Sequence, residues 1–428
     1  MVPDGWQTKA FGACAELVRD TVSPENAVGL PYVGLEHIGE ATLALAGHGH
    51  AEDVTSQKSR FRRGDILFGK LRPYFRKVVL APFDGICSTD IWTVRAKPGT
   101  DQRFLFYWMA SAEFVETATR ASEGTRMPRA QWRFLERLER EVPGIDEQRA
   151  IAHILGSLDD KIELNRRMNE TLEQIAQAIF KSWFVDFEPV KAKAAGRQPV
   201  GMDAATAALF PDSFEDSPLG KIPRGWRVEP LSDTIELQAG GTPRTDVPDY
   251  WNGDIPWISA KDVTAAGSIY ITATERSITR AGVDRSSTRV LPRDTTVVTA
   301  RGTVGACALT GREMAMNQTC YSARGKPDFG SLYTFFSLRQ QIAALRQQTH
   351  GTIFDTITRS TFSGVPVVVP PPRLRHAFEA VARPMADLML ANQQQLATLA
   401  AIRDALLPRL MSGEIRVKDA ERFLEPVR

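Results

Sequence analysis

Cysteine is scarce in this chain: Cys14, Cys87, Cys307 and Cys320 are its only four, and no two form a CxxC pair or a ligand spacing with histidine. That excludes a disulfide-stapled module and a zinc finger, and predicts reduced structural thiols with no metal. The histidines are few as well: His37, His48, His50, His153, His350 and His376. His48 and His50 share a Gly/Ala-rich loop with no third ligand nearby, and His153 flanks an apolar helical seam, so none is expected to hold a metal. No apolar run approaches the ~20 residues that span a bilayer, and the opening MVPDGWQTKAFG lacks the basic and apolar regions of a signal peptide. A cytoplasmic location without a membrane partner is expected. Charge of one sign is missing too. The formal net charge of +2 and pI of about 8.3 argue against a protein that coats nucleic acid by bulk charge.

Cofactor loops are equally hard to find. Gly64 to Lys70 spells GxxxxGK, but Leu71 stands where a Mg²⁺-binding Ser or Thr is needed, and the match falls across an apparent strand. No GxGxxG loop follows a strand, and there is no Asn/Asp-Pro-Pro-aromatic tetrapeptide of the kind that grips a flipped base for amino-methylation. Asp159 and Asp160 sit on a helix as solvated or partner-facing charge and not as an acid and base pair. Neither a catalytic residue nor a bound cofactor is expected of this chain.

What is present is a globular composition, with 43% hydrophobic residues, 24% charged residues and a mean hydropathy of −0.23. The length of 428 residues predicts two or three domains. The dominant pattern is Glu147 to Phe184, whose apolar residues recur at helical spacing. In heptads counted from Ile151, the a-type positions are Ile151, Leu158, Asn165, Leu172 and Ile179; Ile154, Met168 and Ile175 fall on d. An offset of 227 lands on a second such helix, with Phe378, Met385, Asn392, Leu399 and Leu406 at a and Val381, Leu388 and Ile402 at d. The polar a-position is Asn in both. On helix pattern alone, a coiled coil that only holds a dimer remains open.

The regions before the two helices repeat each other in order. PRGW at 223–226 answers PDGW at 3–6, WISAKDV at 257–263 stands where YVGLEHI stood, and Gly351-Thr352 answers Gly124-Thr125. Candidate strands in the first region are 31–38, 64–71, 77–82 and 90–97, followed by one amphipathic helix over 104–121 and a short strand before Pro143. The expected fold is therefore α+β: two similar globular domains, 1–142 and 223–370, each followed by a long helix, 143–190 and 371–417. Residues 191–222 read as an Ala/Gly/Pro-rich linker with a short turn or helix near Ala204 to Leu209, and 418–428 as a tail. Basic residues cluster in both domains: eight Lys and Arg between Lys58 and Lys77 against Asp65, and six Arg between Arg276 and Arg301 against Asp284 and Asp294. Such local density suits phosphate.

The whole chain resembles the specificity subunit of bacterial type I restriction-modification systems. The most specific parts are the EQRAIA helix running to Ser182-Trp183-Phe184-Val185-Asp186-Phe187-Glu188-Pro189-Val190, the segment GMDAATAALFPDSFEDSPLGKIPRGW, and YVGLEHI. The resemblance implies that each globular domain reads one half of a split target in double-stranded DNA. It implies that the helices set the spacer and dock two modification subunits. Those partners would supply S-adenosylmethionine binding and adenine methylation, and restriction subunits would supply ATP-driven, Mg²⁺-dependent translocation and cleavage. Base readout needs Arg, Lys, amide or hydroxyl side chains on shaped loops. The candidates are Lys70, Arg72, Tyr74, Arg76, Arg126 and Arg129 in the first domain. In the second they are Lys261, Arg301, Thr303 and His350, supported by Arg276 and Arg280. The helices are expected to run antiparallel about a pseudo-two-fold axis, with a facing a: Ile151 near Leu406, Leu158 near Leu399, Leu172 near Met385, Ile179 near Phe378, and Asn165 within about one turn of Asn392. A stand-alone nuclease or methyltransferase, and a scaffold without DNA specificity, are the alternatives.

Overall fold

A computed structural model of the chain describes residues 5–124, 126–348 and 357–420. It divides into two compact units, Met1–Lys161 with Leu399–Arg428, and Ile162–Thr398.

In the first unit an antiparallel sheet has the order Ala15–Val18, Ile91–Ala96, Ile66–Gly69, Val78–Leu80. The central Ile66–Gly69 is buried along its whole length, as a run of Ile, Leu and Phe with no polar face requires. Phe68 stacks on Trp92 with centroids 5.7 Å apart, and Phe11 meets Trp108 edge-on at 5.2 Å. The expected helix over 104–121 is two helices, Gln102–Ala110 and Ala112–Arg120. Ser111 between them is extended, and its Oγ accepts from Phe114 N–H, so a good N-cap in the middle of a helical pattern starts a new helix. The expected strand over 31–38 stops at Val33, and Leu35–His37 is a single 3₁₀ turn.

The second unit repeats the sheet. Its order is Ile235–Ala239, Cys320–Gly325, Thr296–Thr299, Cys307–Thr310, with Tyr270–Ile271 added in parallel at the edge. Each copy is also closed by a two-stranded ribbon joining its start to the stretch before its long helix, Gln7–Ala10 with Glu139–Val142 and Arg227–Pro230 with Pro366–Val369.

Residues 191–222 are not an extended surface linker. They contain the helix Ala204–Ala208 and the hairpin Phe214–Ser217 with Gly220–Pro223, preceded by the helix Glu188–Ala194. Val190, Phe210 and Ile222 are buried with Trp183, Phe184 and Trp226 in one core cluster. Two large apolar anchors, Phe210 and Ile222, hold the segment, and residues without periodicity leave no trace in a hydrophobic pattern.

The long helices are Ile145–Phe184 and Pro372–Met411, each 40 residues and displaced by 227 at both ends. The a-type residues are inward: Ile151, Leu158, Asn165, Phe378, Asn392, Leu399 and Leu406 are buried, and Leu172, Ile179 and Met385 are partly buried against the core. The second inward row differs from expectation. Of the residues placed at d, Ile154 is buried, whereas Ile175, Val381 and Leu388 are 44%, 40% and 43% exposed. The buried row lies four residues after a, at Leu155, Ile162, Asn169 and Ala176 on one helix and Ala382, Met389 and Arg403 on the other. The buried face of each helix thus runs through a and its fourth neighbour. Asn392 Nδ2 donates to Asn169 Oδ1 at 2.9 Å, Asn165 Nδ2 donates to Gln395 Oε1 at 2.7 Å, and Asn169 Nδ2 reaches the Met389 carbonyl at 3.1 Å. A buried amide layer is present, with Asn165 and Asn392 about one turn apart as expected, but each bonds an amide one turn along the other helix, Gln395 and Asn169, in place of a direct pair. Around Phe378 the rings of Phe180, Phe184 and Trp183 lie at 5.4, 5.6 and 6.2 Å, and Ile179 packs against the same cluster.

Candidate nucleic-acid interface

In the first copy the strand Ile66–Gly69 hands the chain to Lys70, which leads into a tight loop. A 3₁₀ turn, Pro73–Phe75, is bracketed by Arg72 and Arg76, both left-handed with φ of 52° and 50°. For residues with a Cβ that conformation costs ~1–2 kcal/mol each and persists only where neighbours enforce it. Here they do. Arg72 N–H donates to the Pro128 carbonyl at 2.8 Å, the Lys70 carbonyl accepts from Ala130 N–H at 2.9 Å, and Lys70 N–H donates to the Asp90 carbonyl at 2.9 Å. Arg72 Nη2 also reaches the Arg126 carbonyl at 3.5 Å. Two segments more than fifty residues apart are thereby fastened into one surface carrying Lys70, Arg72, Arg126 and Tyr74, whose ring is 51% exposed.

The other basic residues of this region are differently employed. Arg129 is locked to Asp90 by two bonds of 2.8 and 3.2 Å, and that hydrogen bonding holds its pKa above the ordinary value. Arg76 is turned inward. Its Nε donates to the Ala110 carbonyl at 2.6 Å and its Nη2 lies 3.7 Å from Asp404, with burial drawing its pKa down. It braces the loop from behind instead of facing a ligand, because the left-handed turn at Arg76 points its side chain at the helix end. Lys58 is buried on Ser56, and Lys77 Nζ donates to the Leu35 carbonyl at 2.7 Å. Density of charge along the sequence overstated the charge that faces out.

The second copy rebuilds the same junction. Ala300 N–H donates to the Thr319 carbonyl at 2.8 Å, and the Ala300 carbonyl accepts from Ile357 N–H at 3.0 Å, matching the two bonds made by Lys70. The loop that leaves it carries Arg301 and Thr303, both exposed. Lys261 is paired with Glu275 at 2.8 Å, and Arg280 with Asp284 at 3.3 Å. Arg276 is stacked on Trp251, its guanidinium carbon 3.6 Å from the ring centroid. His350 lies outside the described residues. Among the described residues no cluster of three His, Cys, Asp or Glu could hold a metal ion, and no helix is long and apolar enough to cross a membrane. Gly64 to Lys70, the GxxxxGK match, is a turn and the buried strand Ile66–Gly69, with no helix opening behind Lys70 where a phosphate cradle needs one.

The molecule is thus one α+β domain with a long helix, built twice, with an exposed basic loop fastened at the same junction in each copy. Residues 41–174 and 223–373 match the family model described as the type I restriction modification DNA specificity domain. The HindI specificity subunit of Haemophilus influenzae is 28% identical over 415 residues, covering 86% of this chain and 90% of that one. The MjaIX specificity subunit of Methanocaldococcus jannaschii is 26% identical over 379 residues, covering 84% and 79%. The solved S subunit of the type I restriction-modification system of M. genitalium shares the fold, with a TM-score of 0.56 at 14% identity over 95% of this chain and 96% of that one. The chain belongs to the type I restriction-modification specificity family, whose members recognise DNA and are not themselves the catalysts.

Proposed function

We propose that each globular copy reads one half of a bipartite target in double-stranded DNA, and that the two long helices pair antiparallel about a pseudo-two-fold axis to set the gap between the halves. The observation that carries this reading is the recurrence of one loop junction, at Lys70 and at Ala300, beneath loops of different chemistry. A common frame with unlike loops suits two readers of unlike sequences. Lys70, Arg72 and Arg126 in one copy and Arg301 with Thr303 in the other are the groups offered to phosphates and base edges.

The pairing of Asn392 with Asn169, and of Asn165 with the later residue Gln395, supports opposed helix directions, since partner numbers fall as helix numbers rise. Forty residues give each helix about 60 Å, which exceeds the ~34 Å of one DNA turn. Leu164, Ile175, Val381 and Leu388, all 40–52% exposed on the helices, are the apolar patches suited to docking two modification subunits. S-adenosylmethionine, ATP and Mg²⁺ would act in modification and restriction subunits in the cytoplasm, none of them held by this chain.

The test is selection of bound duplexes from a random-sequence pool by the chain assembled with its modification subunits. The reading predicts a split motif and an affinity that falls steeply with salt. A scaffold would enrich no sequence, and a stand-alone enzyme would methylate or cut DNA without partners.

A further inference from the structure

We infer that Arg276 is a base-reading residue of the second copy and that it takes a guanine. The inference rests on the reading of that copy as a recognition domain and adds a residue and a base to it.

Arg276 opens a short strand, Arg276–Ile278, and lies opposite Trp257 across its antiparallel pairing with Trp251–Ile258. Its guanidinium carbon sits 3.6 Å from the centroid of Trp251 and 5.6 Å from that of Trp257. The two indoles meet edge-on at 5.1 Å, and both are buried. They are themselves held. Trp251 Nε1 donates to the Arg244 carbonyl at 3.0 Å, and Trp257 Nε1 donates to the Gly241 carbonyl at 3.0 Å. At Gly241 a Cβ would come within 2.2 Å of Ser287 Oγ, so only glycine brings that carbonyl under the indole. An exposed arginine therefore lies on a fixed aromatic floor.

Stacking uses the face of the guanidinium and leaves its edge N–H donors free. Among the described residues Arg276 makes no side-chain hydrogen bond or ion pair. The adjacent acid, Glu275, is paired with Lys261, and Asp246 and Asp284 are paired with Arg244 and Arg280. A planar fork of donors with its rotamer already fixed matches the paired acceptors O6 and N7 on the major-groove edge of guanine, the commonest specific contact in DNA recognition. The position suits it. Gly241 N–H donates to Met316, Thr242 bonds to Gln318, and Thr319 accepts from Ala300, so a continuous run of bonds joins the floor under Arg276 to the junction that carries Arg301.

The experiment is duplex selection from the random pool by the assembled complex, carried out with the wild-type chain, R276A and R276K. The wild type should enrich a split motif with a guanine in one half. Both variants should lose the preference at that single position and keep every other. Binding of the wild-type target should fall about 10- to 100-fold. R276K keeps the charge but cannot offer the fork, so it separates base reading from phosphate attraction. If both variants keep the wild-type motif unchanged, or weaken binding equally for all sequences, the assignment is overturned while the recognition reading stands. A wild-type complex that enriches no motif overturns both.

Discussion

Replacing Arg403 tests the charged joint that fastens the first copy to the helices. Arg403 is 2% exposed. Its Nη1 donates to Asp159 Oδ1 at 2.8 Å and its Nη2 to Asp404 at 3.0 Å, while Tyr107 donates its hydroxyl to the other Asp159 oxygen at 2.6 Å. Burial pulls the Arg403 pKa down, but Asp159 and Asp404 outweigh it and hold the guanidinium above its ordinary value. R403M fills the same volume and strands Asp159. Breaking a buried pair from one side costs about 3–5 kcal/mol. Asp159 keeps Tyr107 and its side chain is 20% exposed, which favours the lower figure. About 3 kcal/mol corresponds to roughly 100-fold faster opening. The assay is amide hydrogen exchange, read over Phe104 to Met109 and Ile154 to Leu158 with Phe335 to Leu338 as reference. Removing both charges, as D159L/R403M, should return most of the loss. Exchange at those amides unchanged in R403M, or a double variant as unstable as the single one, would refute the argument that the pair is held by mutual compensation.

N392L strips Asn169 Oδ1 of its donor inside the helix seam and should cost about 1–3 kcal/mol in urea unfolding, whereas N169L/N392L should regain part of it. Equal stability of wild type and N392L would remove the amide layer from the account. F210A should cost about 3–5 kcal/mol, because Phe210 is buried with its ring 5.3 Å from Trp183; a change below about 0.5 kcal/mol would restore the reading of its segment as a linker. Burial pushes the thiols of Cys320 and Cys87 up to about 11 and about 12, from about 9. Both stay protonated in the fold where the unfolded chain has lost the proton. Stability should thus be full below about pH 9 and fall through about 11 and 12, by up to ~1.4 kcal/mol per unit for each thiol. Urea midpoints at pH 8 and 10.5 should diverge less in C87A and C320A than in the wild type, and an identical fall in all three proteins would contradict this.

Much of the architecture was legible because it is written in periodicity and repetition. The long helices start within two residues of the expected 143 and 371 but stop six residues short of 190 and 417, and the offset of 227 survives in their boundaries. The seam was less legible, since apolar Ile175, Val381 and Leu388 attract the eye to d while Asn169 and Arg403 hide the buried row behind polar names. Polar residues in a core are invisible to a hydrophobic count unless their partners are known. The same limit applies to the candidate interface. Lys58, Arg76 and Arg72 are alike in sequence, yet one is buried on a serine, one braces a carbonyl and one faces out. Trp251 and Trp257 could have been noticed as a tryptophan pair six residues apart, but only the strand pairing lays Arg276 across them.

The central claim is that the two copies read separate halves of one target. The direct measurement is a map of methylated adenines in cells making this chain with its modification partners, before and after residues 1–142 are exchanged for the corresponding part of the HindI specificity subunit. The account predicts that one half of the methylated motif changes while the other half and the gap between them stay the same. A motif in which both halves change together, or one that was never split, would contradict it.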